Sequence, residues 1–385
     1  MPASIDLSAL RHNLTIVRDH APGAAVLVAV KADAYGHGAV TIARALQDWS
    51  EGQDWSEGQE SSEEQDRPTL LGVAHVSEAL QLREAGISLK ILKLSHCSPR
   101  ELDAAIAAQI TLTVVDATTI AEADEAAGRA GQTVPVHLKL DSGMGRIGSP
   151  LAEGVRLAAL VDDSPHLRLE GVFTHLPSAD QPDSDDWTED EIDRFLATVD
   201  EIVAARGPVT YVHASNSAGV LRHHRPAFTL VRPGIMAYGY SPDPIAMPRP
   251  ELRPVLSWTT ELTHLKKVAA GTTIGYGRTW TAPEDCWIGT IAVGYGDGFS
   301  RLLSNRGSVL VAGRAVPIVG RVCMDQTMIN FGSEEPGAVV GDEVVILGRS
   351  GDLVITADDL AALMGTISYE VLCLITARVT RLALA

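Results

Sequence analysis

Residues Ala24-Ala25-Val26-Leu27-Val28-Ala29-Val30 lead directly into Lys31-Ala32-Asp33-Ala34-Tyr35-Gly36-His37-Gly38. Seven consecutive apolar residues are typical of a strand buried on both faces, as in a parallel sheet. Lys31 ends this strand, and a glycine-rich turn follows it. An amine at that position leaves the core and meets a cleft, where desolvation lowers its pKa and favours attack on a carbonyl. Taken alone, a lysine that snorkels from a strand end is the commoner explanation.

The same strand-then-helix pattern repeats along the chain. After 24–30, short apolar strands are predicted at 70–74, 91–94, 112–115, 134–140, 169–174, 209–212 and 228–231. Helical spacing indicates helices at 8–20, from about 38, and at 76–85, 101–108, 117–130, 152–161 and 189–205. Eight β-then-α units are the count of a closed (β/α)8 barrel of the TIM type. A doubly wound sheet is the alternative, but no G-x-G-x-x-G motif follows the first strand.

A proline-rich segment at 242–254 marks a domain boundary, because it cannot continue a helix or a central strand. Beyond it, an apolar period of two predicts a mainly-β domain over 255–385, following a barrel over 1–241. The predicted strands are 255–265, 287–293, 308–311, 315–319 and 344–347, with one helix at 357–364. Within the barrel, 47–67 is acidic and repeats Gln-Asp-Trp-Ser-Glu-Gly in tandem, which indicates a disordered or loosely ordered surface insertion.

Composition excludes several classes of function. The chain has 385 residues and a formal net charge of −18, which argues against nucleic acid and anionic membrane surfaces as partners. Four scattered cysteines show no C-x-x-C spacing, and no apolar run reaches the ~18 residues of a membrane span. Because residues 1–6 lack a basic segment followed by an apolar one, no signal peptide is expected there. A cytoplasmic protein is predicted. No metal site is predicted either, because His223-His224 lacks the spacing of metal ligands.

Polar residues collect at the carboxyl ends of the predicted strands, where barrel enzymes carry their function. They are Lys31 and Tyr35, then Lys139, Asp141 and Arg146, then His175, then Asn216 and Ser217, and finally Arg232 with Gly234 and Ile235. Ser217, Gly234 and Ile235 have the chemistry of a phosphate site, a hydroxyl with free backbone N–H groups after the last two strands. An amine facing such a site is what lysine-bound pyridoxal phosphate requires. Each residue alone also has a structural explanation: ion pairs for the arginines, packing for Tyr35 and a satisfied buried position for His175.

The sequence resembles the alanine racemases over nearly its whole length apart from the acidic insertion. The motifs that carry the resemblance are 30–38, 141–146, 216–217, 232–235, 294–298, 321–325 and 367–370. Several long motifs in the family's order form a specific signal. One departure is Asp33, where the family more usually has asparagine.

The resemblance implies a pyridoxal-phosphate enzyme in which Lys31 holds the cofactor through a Schiff base. Arg232 would face the pyridine nitrogen and, having no acceptor, leave it unprotonated. His175 would orient Arg232, and Arg146 would reach the cofactor's phenolic oxygen and the substrate carboxylate. The residues implied for the phosphate are Tyr35, Ser217, Gly234, Ile235 and Tyr369, and Asn216 is implied as a further cofactor-binding residue.

Racemisation needs a base on each face of the substrate Cα. The resemblance implies Lys31 on one face and Tyr295, from the β domain of a second subunit, on the other. Met324 would also be donated across this homodimer, near the substrate carboxylate. Lys139 resembles a family lysine that can be carbamylated, although a plain Lys139–Asp141 pair is equally consistent with the sequence. The expected activity is the interconversion of L- and D-alanine, supplying D-alanine for peptidoglycan.

Three alternatives stay open at this point. One is a racemase for another small amino acid such as serine. Another is a non-catalytic pyridoxal-phosphate-binding homeostasis protein, against which the 255–385 domain argues. The last is a decarboxylase of the same architecture, which would place an acidic residue rather than Arg232 against the pyridine nitrogen and a cysteine acid, such as Cys323, in the β domain.

Overall fold

The computed structural model describes residues 2–51, 70–247 and 250–384, which form two compact units. The first unit contains the described residues of Ala9–Ala34 and Ala39–Arg253. The second contains residues 2–8, Tyr35–Gly38 and the described residues from Pro254 onward. By packing, therefore, the residues 2–8 and 35–38, which the sequence assigned to the barrel, belong to the second unit.

The first unit is built on a parallel sheet whose neighbours follow the order β10-β2-β3-β4-β5-β6-β8-β9. The strands are β2 (Ala25–Ala29), β3 (Leu70–Val73), β4 (Lys90–His96), β5 (Ile110–Val114), β6 (Val134–Asp141), β8 (Leu167–Phe173), β9 (Tyr211–His213) and β10 (Leu230–Val231). Backbone bonds from Thr229 to Val212 and from Arg232 to Ser215 bring β10 beside β9, so the sheet nearly closes on itself. The predicted (β/α)8 barrel is confirmed, and all eight predicted strands are present.

Helices alternate with these strands. They are α1 (Leu7–His20), α3 (Ala39–Ser50), α4 (Val76–Glu84), α5 (Pro99–Ala107), α6 (Ala117–Ala130), α7 (Gly154–Asp163), α8 (Asp185–Arg206) and α9 (Ser217–Arg222). A short helical turn, α2 (Lys31–Tyr35), follows β2, and a two-residue strand, β7 (Ser149–Pro150), pairs with β6. Strands β3 and β5 are buried at every position, as expected where helices cover one face of a sheet and barrel residues fill the other.

The first residues of the predicted insertion at 47–67 are helical. Residues 47–50 complete α3, and Trp49 is buried, with the guanidinium carbons of Arg11 and Arg18 5.6 and 5.4 Å from its ring centroid. Apolar burial and cation–π contact outweigh the polar repeat at this end. The remainder of the predicted insertion, from 52 onward, lies outside the described residues.

The second unit is mainly β, as predicted. Its main sheet has the order β16-β15-β18-β11-β1-β20, and β14 joins β11 to β17. The strands are β1 (Pro2–Asp6), β11 (Leu256–Val268), β12 (Thr273–Ile274), β13 (Trp280–Thr281), β14 (Cys286–Ile291), β15 (Ser308–Val311), β16 (Arg314–Pro317), β17 (Thr327–Gly332), β18 (Glu343–Ser350), β19 (Leu353–Ile355) and β20 (Thr380–Leu384). Two helices, α10 (Ala357–Met364) and α11 (Ser368–Cys373), complete the unit.

Strand β1 explains why the first residues belong here. Ala3 pairs antiparallel with Trp258 of β11 and parallel with Arg381 of β20. Both partners lie more than 250 residues away, so no local sequence pattern predicts the pairing.

None of the helices in the described part of the chain is long and apolar enough to cross a membrane.

Candidate active site

Four cationic side chains gather at the carboxyl end of the barrel. Lys31 lies two residues past β2, Lys139 is in β6, Arg146 is in the loop after β6, and Arg232 follows β10 directly. Burial, followed by the charges of Arg232 and Arg146, lowers the pKa of Lys139 to about 8, although Asp141 opposes the shift. Lys31 contributes to the same repulsion. The barrel end is therefore complementary to an anion.

Arg232 is buried, and desolvation lowers the pKa of its guanidinium to about 9. Its Nη1 donates to Nδ1 of His213 at 2.7 Å. Its Nη2 donates to the carbonyls of Thr174 and Ala214 at 2.8 and 2.9 Å and lies 3.3 Å from Nδ1 of His175. The guanidinium thus forms hydrogen bonds with two backbone carbonyls and two imidazoles, and these four groups fix its orientation.

His175 is a neutral imidazole in this setting. Burial, then the charges of Arg232 and Arg146, hold its pKa well below the ordinary value. Since Arg232 can only donate, Nδ1 of His175 accepts and Nε2 carries the proton. The resemblance implied that His175 orients Arg232, and the structure places the two side chains 3.3 Å apart.

Lys31 begins a left-handed turn that local sequence did not predict. Ala32, Asp33, Ala34 and Tyr35 all have φ between 53° and 55°, a region that costs roughly 1–2 kcal/mol for each residue with a Cβ. Two carboxylates hold the turn. Glu78 Oε1 accepts from the N–H of Ala32 at 2.7 Å, and Asp33 Oδ1 accepts from the N–H of Ala39 at 2.7 Å, at the start of α3.

These contacts give Asp33 and Glu78 their roles. The carboxylate of Asp33, which departs from the family's asparagine, serves the amino end of a helix, where negative charge is favourable. Glu78 also accepts from the N–H groups of Ala74 and His75, at 2.8 and 3.0 Å, and so ties the lysine turn to the loop after β3. Sequence reasoning missed Glu78, whose only signal is its place in the first turn of α4.

The predicted phosphate residues lie after β9 and β10. Ser217 Oγ accepts from the N–H groups of Gly234 and Met236, at 2.9 and 3.3 Å. Its own hydroxyl proton is therefore available to an anion. Asn216 caps α9 by accepting from the N–H of Gly219 at 2.9 Å, so it shapes the turn. Ile235, which follows Gly234, is fully buried.

In the second unit, Tyr35 and Tyr369 lie together, with ring centroids 6.0 Å apart. Tyr35 is buried, and this burial raises the pKa of its phenol above the ordinary value. The turn after Tyr35 requires glycine, because Gly36 has φ +79° and an added Cβ would lie 2.2 Å from the carbonyl oxygen of Leu372.

Tyr295 and Met324 also lie side by side in the second unit. The N–H of Tyr295 donates to the carbonyl of Cys323, and that of Gly296 to the carbonyl of Met324, both at 2.9 Å. Tyr295 is 43% exposed and Met324 52% exposed. Two large side chains with this exposure, one aromatic with a hydroxyl and one apolar, form a surface suited to contact with another group.

Arg378 connects the chain segment that carries Tyr295 to the one that carries Met324. Sequence reasoning missed this arginine. Its Nε lies 3.2 Å from Oδ1 of the buried Asp297, and its Nη2 lies 2.8 Å from Oδ1 of Asp325. Asp297 in turn accepts from the N–H of Gly294 at 3.0 Å, which closes the turn around Tyr295.

The chain matches two family models. "Alanine racemase, N-terminal domain" matches residues 5–56 and 59–242, and "Alanine racemase, C-terminal domain" matches residues 255–383. An alanine racemase of Cutibacterium acnes is 48% identical over 98% of this chain and 96% of its own length.

Solved structures agree with these matches. An alanine racemase of Clostridium difficile is 33% identical with a TM-score of 0.89, over 99% of this chain and 95% of that one. The Bacillus anthracis alanine racemase with bound L-Ala-P is 35% identical with a TM-score of 0.87, over 100% of this chain and 94% of that one. The histidine racemase of Leuconostoc mesenteroides is 27% identical with a TM-score of 0.86, over 100% of this chain and 98% of that one. On the strength of both domain models and full-length identity, this chain belongs to the alanine racemase family of isomerases.

Proposed function

We propose that the protein interconverts L- and D-alanine with pyridoxal phosphate as cofactor, and that it supplies D-alanine for cell-wall peptidoglycan. The observation that carries the proposal is the buried Arg232, whose direct acceptors are carbonyls and imidazoles. A guanidinium in that position donates to a ring nitrogen without protonating it. A decarboxylase of the same architecture would have an acidic group at the position of Arg232, so this arrangement argues against that alternative.

The residues of the barrel fit the proposed cofactor. Arg146 and Arg232 would offset the charge of a phosphate and a phenolate, and the repulsion among the cationic side chains at this end of the barrel is relieved by such an anion. Ser217 would donate its hydroxyl proton to the phosphate, beside the backbone of Gly234 and Ile235. Tyr35 and Tyr369 are proposed to complete this phosphate site, and Arg146 to bind the phenolic oxygen and the substrate carboxylate.

When bound, pyridoxal phosphate acidifies the Cα proton of an amino acid by withdrawing electrons from it. The chain's own contribution is to move that proton. Lys31 would take or return it on one face. Tyr295 serves the opposite face, since one rigid base cannot reach both. His175, neutral and bonded to Arg232, holds the guanidinium in place through the reaction.

The exposure of Tyr295 and Met324 supports the further proposal that they act in the barrel site of a second copy of the chain. In such a homodimer each subunit would supply Lys31 to its own site and Tyr295 with Met324 to its partner's. The isologous arrangement of a two-fold dimer makes the two sites equivalent.

Polarimetry of L-alanine with the protein and pyridoxal phosphate tests this function. Optical rotation is expected to decay to zero, and the Tyr295→Phe variant is expected to bind the cofactor, seen by visible absorption, while losing nearly all racemisation. Cofactor binding without loss of rotation, in the unmodified protein, would refute alanine racemisation.

A second candidate is racemisation of a different amino acid. It is favoured by the likeness to a protein described as a histidine racemase, at 27% identity. The same polarimetric assay with L-serine and L-histidine decides between the candidates: the substrate with the highest kcat/KM identifies the activity. The homeostasis alternative has no such support, because the C-terminal domain model matches residues 255–383.

A further inference from the structure

A chain of buried polar side chains leads from Arg232 through the barrel interior to a carboxylate. Nη1 of Arg232 lies 2.7 Å from Nδ1 of His213, whose Nε2 lies 2.8 Å from Nδ1 of His137. Nε2 of His137 faces Oε2 of Glu170 at 3.6 Å. All four side chains are buried. We call this set, Arg232, His213, His137 and Glu170, the Glu170 relay.

The direction of donation along the relay is fixed by chemistry. A guanidinium has no acceptor, so Nδ1 of His213 accepts and its Nε2 carries the proton. That proton is donated to Nδ1 of His137, which leaves the His137 proton on Nε2, facing Glu170. Burial lowers the pKa of both histidines, so both are neutral at pH 7. One tautomer of each ring therefore points every N–H of the relay toward Glu170.

Glu170 is anchored as an anion at the far end. Its Oε1 accepts from Lys90 at 2.9 Å and from Arg168 at 3.1 Å. Burial alone would raise the pKa of Glu170, but His137, which faces Oε2, and Lys90, which is hydrogen-bonded to Oε1, outweigh it and lower the pKa to about 2. The relay therefore joins a buried cation to a buried anion through two neutral rings.

The backbone is shaped to admit this relay. Between β6 and β8 the register shifts, so that Val136 pairs with Leu169 but His137 pairs with Gly171. Glu170 is the extra residue of this β-bulge, and bulges re-aim side chains. At Gly171 an added Cβ would lie 2.7 Å from Nδ1 of His137. The bulge and the glycine together create the space in which the imidazole of His137 reaches both neighbours.

We propose that Glu170 is a positioning residue that acts through His137 and His213 to keep the Arg232 guanidinium charged and oriented. Arg232 is desolvated, and the acceptors that it contacts directly are carbonyls and neutral imidazoles, so the relay connects it by buried polar side chains to a negative charge. The inference depends on the proposed function in one respect only, which is the identity of the ligand that Arg232 faces. The relay itself is a property of the barrel.

Nitrogen NMR of histidine side chains in the cofactor-loaded protein tests the relay without reference to activity. His137 and His213 are both expected as pure Nε2–H tautomers. A Nδ1–H tautomer or a charged ring at either position would overturn the proposal. This readout stands even if the protein does not racemise alanine, so failure of the relay and failure of the proposed function are distinguishable.

Variants test the consequence for catalysis. Glu170→Gln, which removes the charge but keeps the shape, is expected to lower kcat about tenfold with KM for alanine changed less than about twofold, as befits loss of a charge-assisted interaction. The Nε2 nitrogen signal of His137 should shift, because a neutral amide replaces the carboxylate that it faces, while donation from His213 keeps the ring in its Nε2–H tautomer. Lys90→Met is the control, since it breaks the same ion pair and leaves the carboxylate facing His137. Equal effects of the two variants would show a merely structural role.

A second route to the same readout avoids Glu170 itself. Gly171→Ala displaces the His137 ring while leaving the Glu170–Lys90 pair, and the same loss of kcat with a shifted His137 nitrogen signal is expected. Wild-type kcat together with wild-type histidine nitrogen signals in the variants that fold would overturn the proposal.

Discussion

Lys139 is a residue whose acid–base chemistry is changed by its burial in the barrel, because its pKa is lowered to about 8. It is buried, and its Nζ lies 5.2 Å from the ring centroid of Phe173, over which the guanidinium of Arg232 also lies at 5.5 Å. A buried lysine among other cations is destabilised in its charged form. The sequence left open whether Lys139 pairs with Asp141 or becomes a carbamate, and we propose the carbamate, because it would convert one of the cations into an anion.

The pH dependence of this modification follows from the lowered pKa. A neutral amine combines with carbon dioxide to give a carbamate and release a proton. Since the pKa of Lys139 is lowered to about 8, the neutral fraction falls about tenfold for each pH unit below that value. The site is therefore expected to be modified at pH 8 in bicarbonate and largely unmodified at pH 6.

Intact-mass measurement under non-denaturing conditions checks this expectation. The added mass of one carbon dioxide is expected at pH 8 and is expected to disappear on acid treatment, and Lys139→Gln should show no such mass at either pH. An unmodified protein at pH 8 would leave the plain Lys139–Asp141 pair as the correct account.

At the scale of elements, strands whose own residues are apolar were predictable, and those defined by distant pairing were not. Strand β5 is buried at all five positions and its sequence shows this directly. Strand β1 alternates between buried and half-buried residues and acquires its place only from β11 and β20. Likewise the bulge at Glu170 depends on the register of two strands, which a single strand's sequence does not contain.

The left-handed turn and Gly36 give a prediction at this scale. Gly36→Ala is expected to destabilise the protein by about 2–4 kcal/mol, because it combines a positive φ with a backbone clash at Leu372. The matched control is Gly131→Ala at the end of α6, where φ is also positive but nothing lies within 4 Å of the added Cβ. That control is expected to lose only about 1 kcal/mol.

Urea denaturation of both variants measures the difference. Equal losses would mean that φ alone matters and that the approach of Gly36 to Leu372 does not constrain this turn. The larger loss at Gly36 would show that the turn carrying Tyr35 is held by packing against α11 in the second unit.

For the molecule as a whole, the proposed sharing of sites between subunits predicts complementation. Lys31→Ala and Tyr295→Phe proteins are each expected to be nearly inactive, because each of their sites lacks one base. After dissociation and random reassociation of equal amounts, half of the dimers are mixed and each has one complete site, so about a quarter of wild-type activity should return.

The control for complementation is the mixing of two separately tagged Lys31→Ala preparations, which verifies subunit exchange and should restore nothing. No recovery between Lys31→Ala and Tyr295→Phe, with exchange verified by the tags, would contradict a site shared between subunits.

By itself the sequence determined the two-domain architecture, the barrel and the residues at its strand ends. These features are local: apolar runs specify buried strands, and a residue that follows a strand of a parallel barrel lies on its carboxyl rim. For that reason the sequence identified the residues Lys31, Lys139, His175 and Arg232. The motifs around them showed the resemblance to the family.

Only the tertiary structure decided how those residues are supported. Glu78, Arg378 and the Glu170 relay act across separations of tens of residues, and no periodicity or spacing in the chain relates them. The charge of a buried group depends on what surrounds it in three dimensions. The lowered pKa of Lys139, the neutral state of His175 and the anionic state of Glu170 are therefore properties of the folded barrel, set by which side chains it brings into contact.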